Sequence, residues 1–216
     1  MKLSNLTSRV LTSFVLLILT FLIWIYDSLF YFTLILAGVF SIIEFFELNN
    51  KIFKKKKLIF IFNIIFIFYI FLFCSLALIF TFNIYLKILL FVLILTCVSS
   101  DIGGFVVGKI FKGPKISKIS PNKTVSGAIG SIIFSCISFT FLIYLKVNNF
   151  NFSYIFIASC TSIGCQIGDL FFSLLKRKAK IKDTGKFLPG HGGVLDRLDG
   201  MLLGIPTGFI IISFYY

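Results

Sequence analysis

Acidic residues are scarce in this chain. Eight Asp and Glu stand against 21 Lys and Arg, and charged residues fill only 13% of 216 positions. A soluble globular domain carries about 25%, so that class is excluded. His occurs once and Cys five times, with no CxxC spacing. This leaves no basis for a zinc site or a disulfide framework. The five thiols (Cys74, Cys97, Cys136, Cys160, Cys165) lie in apolar stretches and read as small buried hydrophobes. Strict apolar/polar alternation is also missing, which argues against a transmembrane barrel. No internal repeat, low-complexity linker or soluble domain breaks the pattern.

What fills the chain is apolar: 58% hydrophobic residues, 30 of the 216 being Phe. Such a chain cannot be covered by its own polar surface in water. In lipid the backbone must be helical or a closed barrel, and apolar runs of about 17–25 residues suit helices. The expectation is an all-α, polytopic integral membrane protein. It forms a single membrane domain over 1–216, with N-terminal spans in 1–95 and a catalytic core in 96–216. Spans are expected near 10–26, 28–46, 58–82, 86–107, 124–145, 153–175 and 195–215, about seven in all. An eighth arises if the long 58–82 stretch splits. Lys2 and Arg9 imitate a signal peptide, but the apolar stretch after them is too long and lacks a cleavage site. It is expected to stay as an anchor.

With seven spans, 19 of the 21 basic residues fall on one side, and only Lys87 and Lys146 on the other. The basic run Lys51, Lys54–Lys57 reads as a stop signal on that first side, which the positive-inside rule makes cytoplasmic. Orientation alone thus accounts for the net charge of +13, and nucleic-acid binding gains no support. A small polyanionic substrate would be drawn to the same face.

The spans change character after residue 95. Gly104xxxGly108, Ser126xxxGly130, Gly127xxxSer131, Gly200xxxGly204 and Gly204xxxGly208 let helices approach closely. In the sixth span Ser162, Gln166, Asp169, Ser173 and Lys176 recur at steps of four and three, so they share one inward face. Asp196 and Asp199 are three apart in the expected seventh span and share a face too. Between these spans lies the densest charge in the chain. Residues 168–199 hold four of the eight acidic groups (Asp169, Asp183, Asp196, Asp199), seven basic ones and the lone His191. Converging carboxylates need positive charge between them, which Lys and Arg could supply and a divalent cation supplies better. Oxygen ligands suit Mg2+, which typically takes one or two carboxylates plus waters and substrate phosphates. The surplus of Lys and Arg suits phosphate. The residues alone therefore point to a Mg-dependent enzyme handling phosphate at the cytoplasmic face.

The stretch Ser173-Leu-Leu-Lys176-Arg177, Lys182-Asp183-Thr-Gly185, Leu188-Pro-Gly-His191-Gly-Gly193-Val-Leu-Asp196-Arg197-Leu-Asp199 resembles the signature of the phosphatidate cytidylyltransferases, or CDP-diacylglycerol synthases. Upstream, Asp101–Gly108 is similar to the family's DxGAYxxG-type segment, and Ser120-Pro-Asn-Lys123-Thr124 to its SP-x-KT segment. The resemblance covers about 96–207 and the N-terminal spans match only in hydropathy. It departs at Ser126, where the family's KTWEG has Glu, and at Phe172, where Glu usually follows GDLx. Both bear on a second cation site more than on the reaction.

The resemblance implies transfer of CMP from CTP to phosphatidate in the bilayer of the inner membrane, giving CDP-diacylglycerol and pyrophosphate. It implies that Asp169 and Asp196 hold Mg2+, with Asp199 behind them, and that Lys176, Arg177 and Arg197 complete the catalytic set. Lys123, Thr124, Ser120, Asp101, Ser173, Lys182 and His191 are the implied substrate contacts, while Asp183 reads as an ion-pair or loop-ordering residue. The lipid phosphate's second pKa is about 6, so no general base is required. The oligomeric state stays open, a homodimer included. The alternatives are another membrane phosphotransferase, such as a CTP-dependent lipid kinase, and a transporter. A CDP-alcohol phosphotransferase needs a DG-x2-AR…G-x3-D-x3-D spacing that Asp196-Arg-Leu-Asp199-Gly200 does not supply. A transporter would show repeated halves and mid-membrane breaks.

Overall fold

The computed structural model of the chain describes residues 5–215 apart from 118, 119, 121, 122, 186 and 188–191, with side chains from 12 onward except 13 and 17. Among these residues the chain is helical: α1 (Asn5–Ile25), α2 (Asp27–Ile52), α3 (Lys56–Thr81), α4 (Ile84–Phe111), α5 (Val125–Val147), α6 (Phe152–Lys178), α7 (Leu195–Leu198) and α8 (Met201–Tyr215). One isolated bridge, Lys115 to Thr124, closes the segment between α4 and α5. Among the described residues six segments are long and apolar enough to cross a membrane: α2 to α6, and α7 with α8 taken together. The all-α, polytopic membrane architecture holds, and α3 runs unbroken through the stretch whose splitting would have made an eighth span. The exposed residues are largely Phe and Ile, such as Phe60, Phe68, Phe71 and Phe105. This reverses the surface of a soluble protein and suits lipid.

Local chemistry sets the helix ends. Asn83 caps α4 by accepting from the Tyr85 N–H at 2.9 Å. Thr124 caps α5 through the Gly127 N–H at 3.2 Å. Asn148 ends α5 in the left-handed conformation, φ 52°. The expected seventh span is present as Leu195–Tyr215, but its helix is interrupted near the start. A single turn, α7, is followed by a turn at Asp199–Gly200 before α8 begins. Asp199 therefore does not continue the helical face of Asp196. Its carboxylate accepts from the Gly200 N–H at 2.9 Å instead.

The chain divides into two compact units. The first holds residues 1–81 and 175–198, and the second 82–174 and 199–216. In the first, Phe45 stacks on Phe66 with centroids 3.8 Å apart. Asn49 Nδ2 donates to Asn63 Oδ1 at 2.7 Å, satisfying two amides inside an apolar pair of helices. Phe187 rests on Phe40 at 4.3 Å. In the second, the small-residue spacings do what the sequence leads one to expect. A Cβ on Gly104 would lie 2.5 Å from Ser131 Oγ, and one on Gly108 3.4 Å from Gly127 Cα, so α4 and α5 meet backbone to backbone. Gly204 and Gly208 bring α8 equally close to Cys97, Leu93 and Thr161.

Candidate functional site

In the second unit, α6 presents its polar stripe inward. Ser162 shares a 2.8 Å hydrogen bond with Ser100 of α4. Gln166 Nε2 donates to the Ala128 carbonyl and to Ser162 Oγ, both at 3.3 Å. One turn on, Asp169 Oδ2 accepts from Lys123 Nζ at 2.8 Å. Lys123 is held in place by its own backbone. The Ile116 N–H donates to the Lys123 carbonyl at 3.0 Å, and the Lys123 N–H to the Ser120 carbonyl at 3.1 Å. A cavity of about 310 Å³ opens beside the pair, lined by Asp101, Ser120, Lys123, Thr124, Gln166 and Asp169 among others. Gly200 leaves Asp169 room, since a Cβ there would lie 3.2 Å from Oδ1. The site is electrostatically mixed, with two carboxylates, one ammonium and neutral hydroxyl and amide groups. Ser173 lies half-buried further along α6.

The first unit holds a second Lys–Asp pair. Lys176 Nζ donates to Asp196 Oδ1 at 2.8 Å, with side chains only 12% and 6% exposed. Asp196 Oδ2 accepts from the N–H groups of Thr184 at 2.8 Å and Gly193 at 3.0 Å. Arg177, Lys182, Arg197 and Asp183 are exposed, and Arg177 donates to the Ile181 carbonyl at 3.3 Å. His191 lies outside the described residues. The structure thus brings Asp101, Ser120, Lys123, Thr124 and Asp169 to one cavity, and Lys176 and Asp196 to one buried network.

Sequence reasoning missed Glu44 of α2. It is 1% exposed. Its oxygens accept from Thr184 Oγ1 at 2.7 Å and from the N–H groups of Val194 and Leu195, each at 2.9 Å. The signal was there: an ionisable residue inside an apolar span is a functional candidate by default.

Within neither unit do three or more described His, Cys, Asp or Glu gather. A metal held mainly by protein ligands, as zinc is, does not fit. Mg2+ asks for less, one or two carboxylates with water and phosphate oxygens completing the shell. Asp169 fits that need, with Oδ1 facing the space left by Gly200. At Asp196, Lys176 already supplies the positive charge.

A family model described as the cytidylyltransferase family matches residues 56–215, from α3 to the end of α8. The chain is 42% identical over 112 residues to the phosphatidate cytidylyltransferase of Helicobacter pylori, covering 52% of this chain and 42% of that one. It is 43% identical over 125 residues to the Rickettsia bellii protein of that name, covering 54% of each. Against the Bacillus subtilis protein it is 39% identical over 121 residues, 54% of this chain and 44% of the other. The chain spans about half the length of these curated relatives. With a match that takes in both Lys–Asp pairs and most of the helices, the chain belongs to the cytidylyltransferase family.

Proposed function

We propose that this protein is a nucleotidyltransferase that moves CMP from CTP to phosphatidate in the bacterial inner membrane, with its site at the cytoplasmic face. The observation that carries the reading is the Lys123–Asp169 pair on the wall of the 310 Å³ cavity, inside the stretch that matches the family. An apolar helical body gives a lipid substrate access, and the cavity offers polar groups to a nucleotide.

The chemistry asks little of proton transfer. A phosphatidate oxygen attacks the α-phosphorus of CTP, the bond from that phosphorus to the bridging oxygen breaks, and pyrophosphate leaves with the electron pair. The nucleophile is already largely ionised near neutral pH. Catalysis therefore rests on positioning two anions and stabilising developing charge. Lys123 answers the phosphates at the cavity, with Ser120 and Thr124 as hydroxyl donors. Asp101 is an acceptor suited to the cytosine amino group. Ser173, Lys182 and His191 are further substrate contacts. Lys176, Arg177 and Arg197 serve the triphosphate and lipid phosphate. Asp169 and Asp196 are the carboxylates assigned to Mg2+, with Asp199 in support. At Asp196, Mg2+ would take the place of the Lys176 ammonium that now meets Oδ1. When bound, Mg2+ neutralises the charge that builds on the leaving pyrophosphate.

The test is label transfer by purified protein in detergent. CTP labelled at the α-phosphate should send label into the lipid extract, with phosphatidate and Mg2+ both required and EDTA stopping it. CTP labelled at the γ-phosphate should leave its label in aqueous pyrophosphate. Lipid-phase label from γ but not α would overturn the reading and favour a CTP-dependent lipid kinase. Label remaining in unchanged nucleotide in both cases would favour a transporter.

A further inference from the structure

Glu44 lies deep in α2, in the half of the chain that matches the cytidylyltransferase signature least, and it is 1% exposed. Burying a carboxylate among apolar helices is costly unless each lone pair finds a donor. Among the described residues its donors come from the loop and the start of α7. Oε2 accepts from Thr184 Oγ1 at 2.7 Å and the Leu195 N–H at 2.9 Å, and Oε1 from the Val194 N–H at 2.9 Å. The fit is close on two further sides. A Cβ on Gly185 or on Gly193 would collide with the Glu44 oxygens, so only glycine lets both strands of the loop press against it.

These contacts share a pattern. Thr184–Gly185 and Gly193–Leu195 are the two ends of one loop, and Glu44 ties both to α2. Asp196 ties the same two ends, through the N–H groups of Thr184 and Gly193. The loop base is thus closed by two carboxylates, one from a helix 150 residues upstream of Val194 and one from α7, the turn of helix that follows the loop. Thr184 joins them, giving its hydroxyl to Glu44 and its N–H to Asp196. An apolar side chain would fill the space under the loop at less cost. What it would not supply is a fixed register between α2, the loop ends and Asp196.

We propose that Glu44 is a positioning residue, which sets Asp196 and the Lys176 paired with it for the transfer reaction by closing the loop base. This rests on the reading of Asp196 as part of the active site. Glu44 touches no reacting atom; it acts through Thr184, Val194 and Leu195.

Glu44→Gln keeps the volume but turns one acceptor into an NH2 group facing N–H donors. In the full-length protein kcat for CMP transfer should fall by about tenfold to a hundredfold, while KM for CTP moves by less than about threefold. Thr184→Val breaks the same bond from the other side and should lower kcat more mildly; Thr184→Ser should recover most of that loss. The double variant E44Q/T184V should be little worse than E44Q alone, because both remove one linkage. Hydrogen exchange of the same proteins in detergent should speed up at the amides around Thr184 and Gly193–Asp196, with α5 unchanged. Wild-type kcat and exchange in E44Q would overturn the proposal. So would exchange that rises evenly along the chain, the mark of general destabilisation, or losses in E44Q and T184V that multiply independently. If the unaltered protein transfers no CMP at all, the proposed function fails, and the exchange comparison still decides whether Glu44 holds the loop.

Discussion

Two Lys–Asp pairs of identical length, 2.8 Å, stand in the two units of this chain, and they are built for different work. Lys123–Asp169 is partly open, with side chains 29% and 24% exposed beside a cavity. Its carboxylate comes from a helix and its ammonium from a short backbone-braced segment. Lys176–Asp196 is nearly closed, at 12% and 6%, and Asp196 also takes two backbone N–H groups. A partly solvated pair contributes little to stability, whereas one buried among donors cannot lose a member cheaply. The same two residue types therefore stand once beside an open cavity and once inside a closed hydrogen-bonded network.

The largest expected effect is at Asp196. Asn there leaves the Lys176 ammonium facing a neutral amide, and breaking such a buried pair costs about 3–5 kcal/mol. CMP transfer should fall by on the order of a thousandfold, and thermal unfolding in detergent should move clearly downward. Asp169→Asn should separate the two effects. Turnover should drop on a similar scale, yet stability should change by about 1 kcal/mol or less, because the pair is partly solvated. Equal stability losses in the two variants would erase the distinction between the pairs. Ordinary activity in Asp169→Asn, with unchanged Mg2+ dependence, would remove Asp169 from the reaction.

Most of the architecture was legible because the solvent is lipid. Apolar run length reads directly as helices, and the Gly104/Gly108 and Gly127/Ser131 spacings read as a close α4–α5 contact. The Ser162–Asp169 stripe was legible as a periodicity and is the inward face of α6. Asp199 was not. A three-residue spacing carries a shared face only if the helix continues, and Asp199–Gly200 is a turn. Glu44 was visible as an ionisable residue in an apolar span, but its partners were not, because its donors lie 140 to 151 positions away, beyond any local pattern. The partners of a side chain that bonds backbone N–H groups leave no residue-type signature, since every residue but Pro carries that donor.

The smallest effect sharpens the comparison from within one loop. Asp183 is next to Thr184, carries the same group as Asp196 and lies in the same charged stretch, yet it is exposed. Water and salt screen such a charge, so an exposed carboxylate contributes about 0–1 kcal/mol to any partner it meets. Its Cβ approaches Gly192, whose positive φ of 89° favours glycine at that turn. Asp183 thus touches the loop through backbone shape more than through charge. Asp183→Asn, which keeps the shape, should lower CMP transfer by less than about threefold and leave unfolding almost unmoved. Asp183→Pro would alter the shape and serves as the contrasting control. A loss from Asp183→Asn approaching that of Asp196→Asn would mean that charge in this loop, buried or not, is what the reaction needs. The contrast drawn between a solvated and an enclosed carboxylate would then fail.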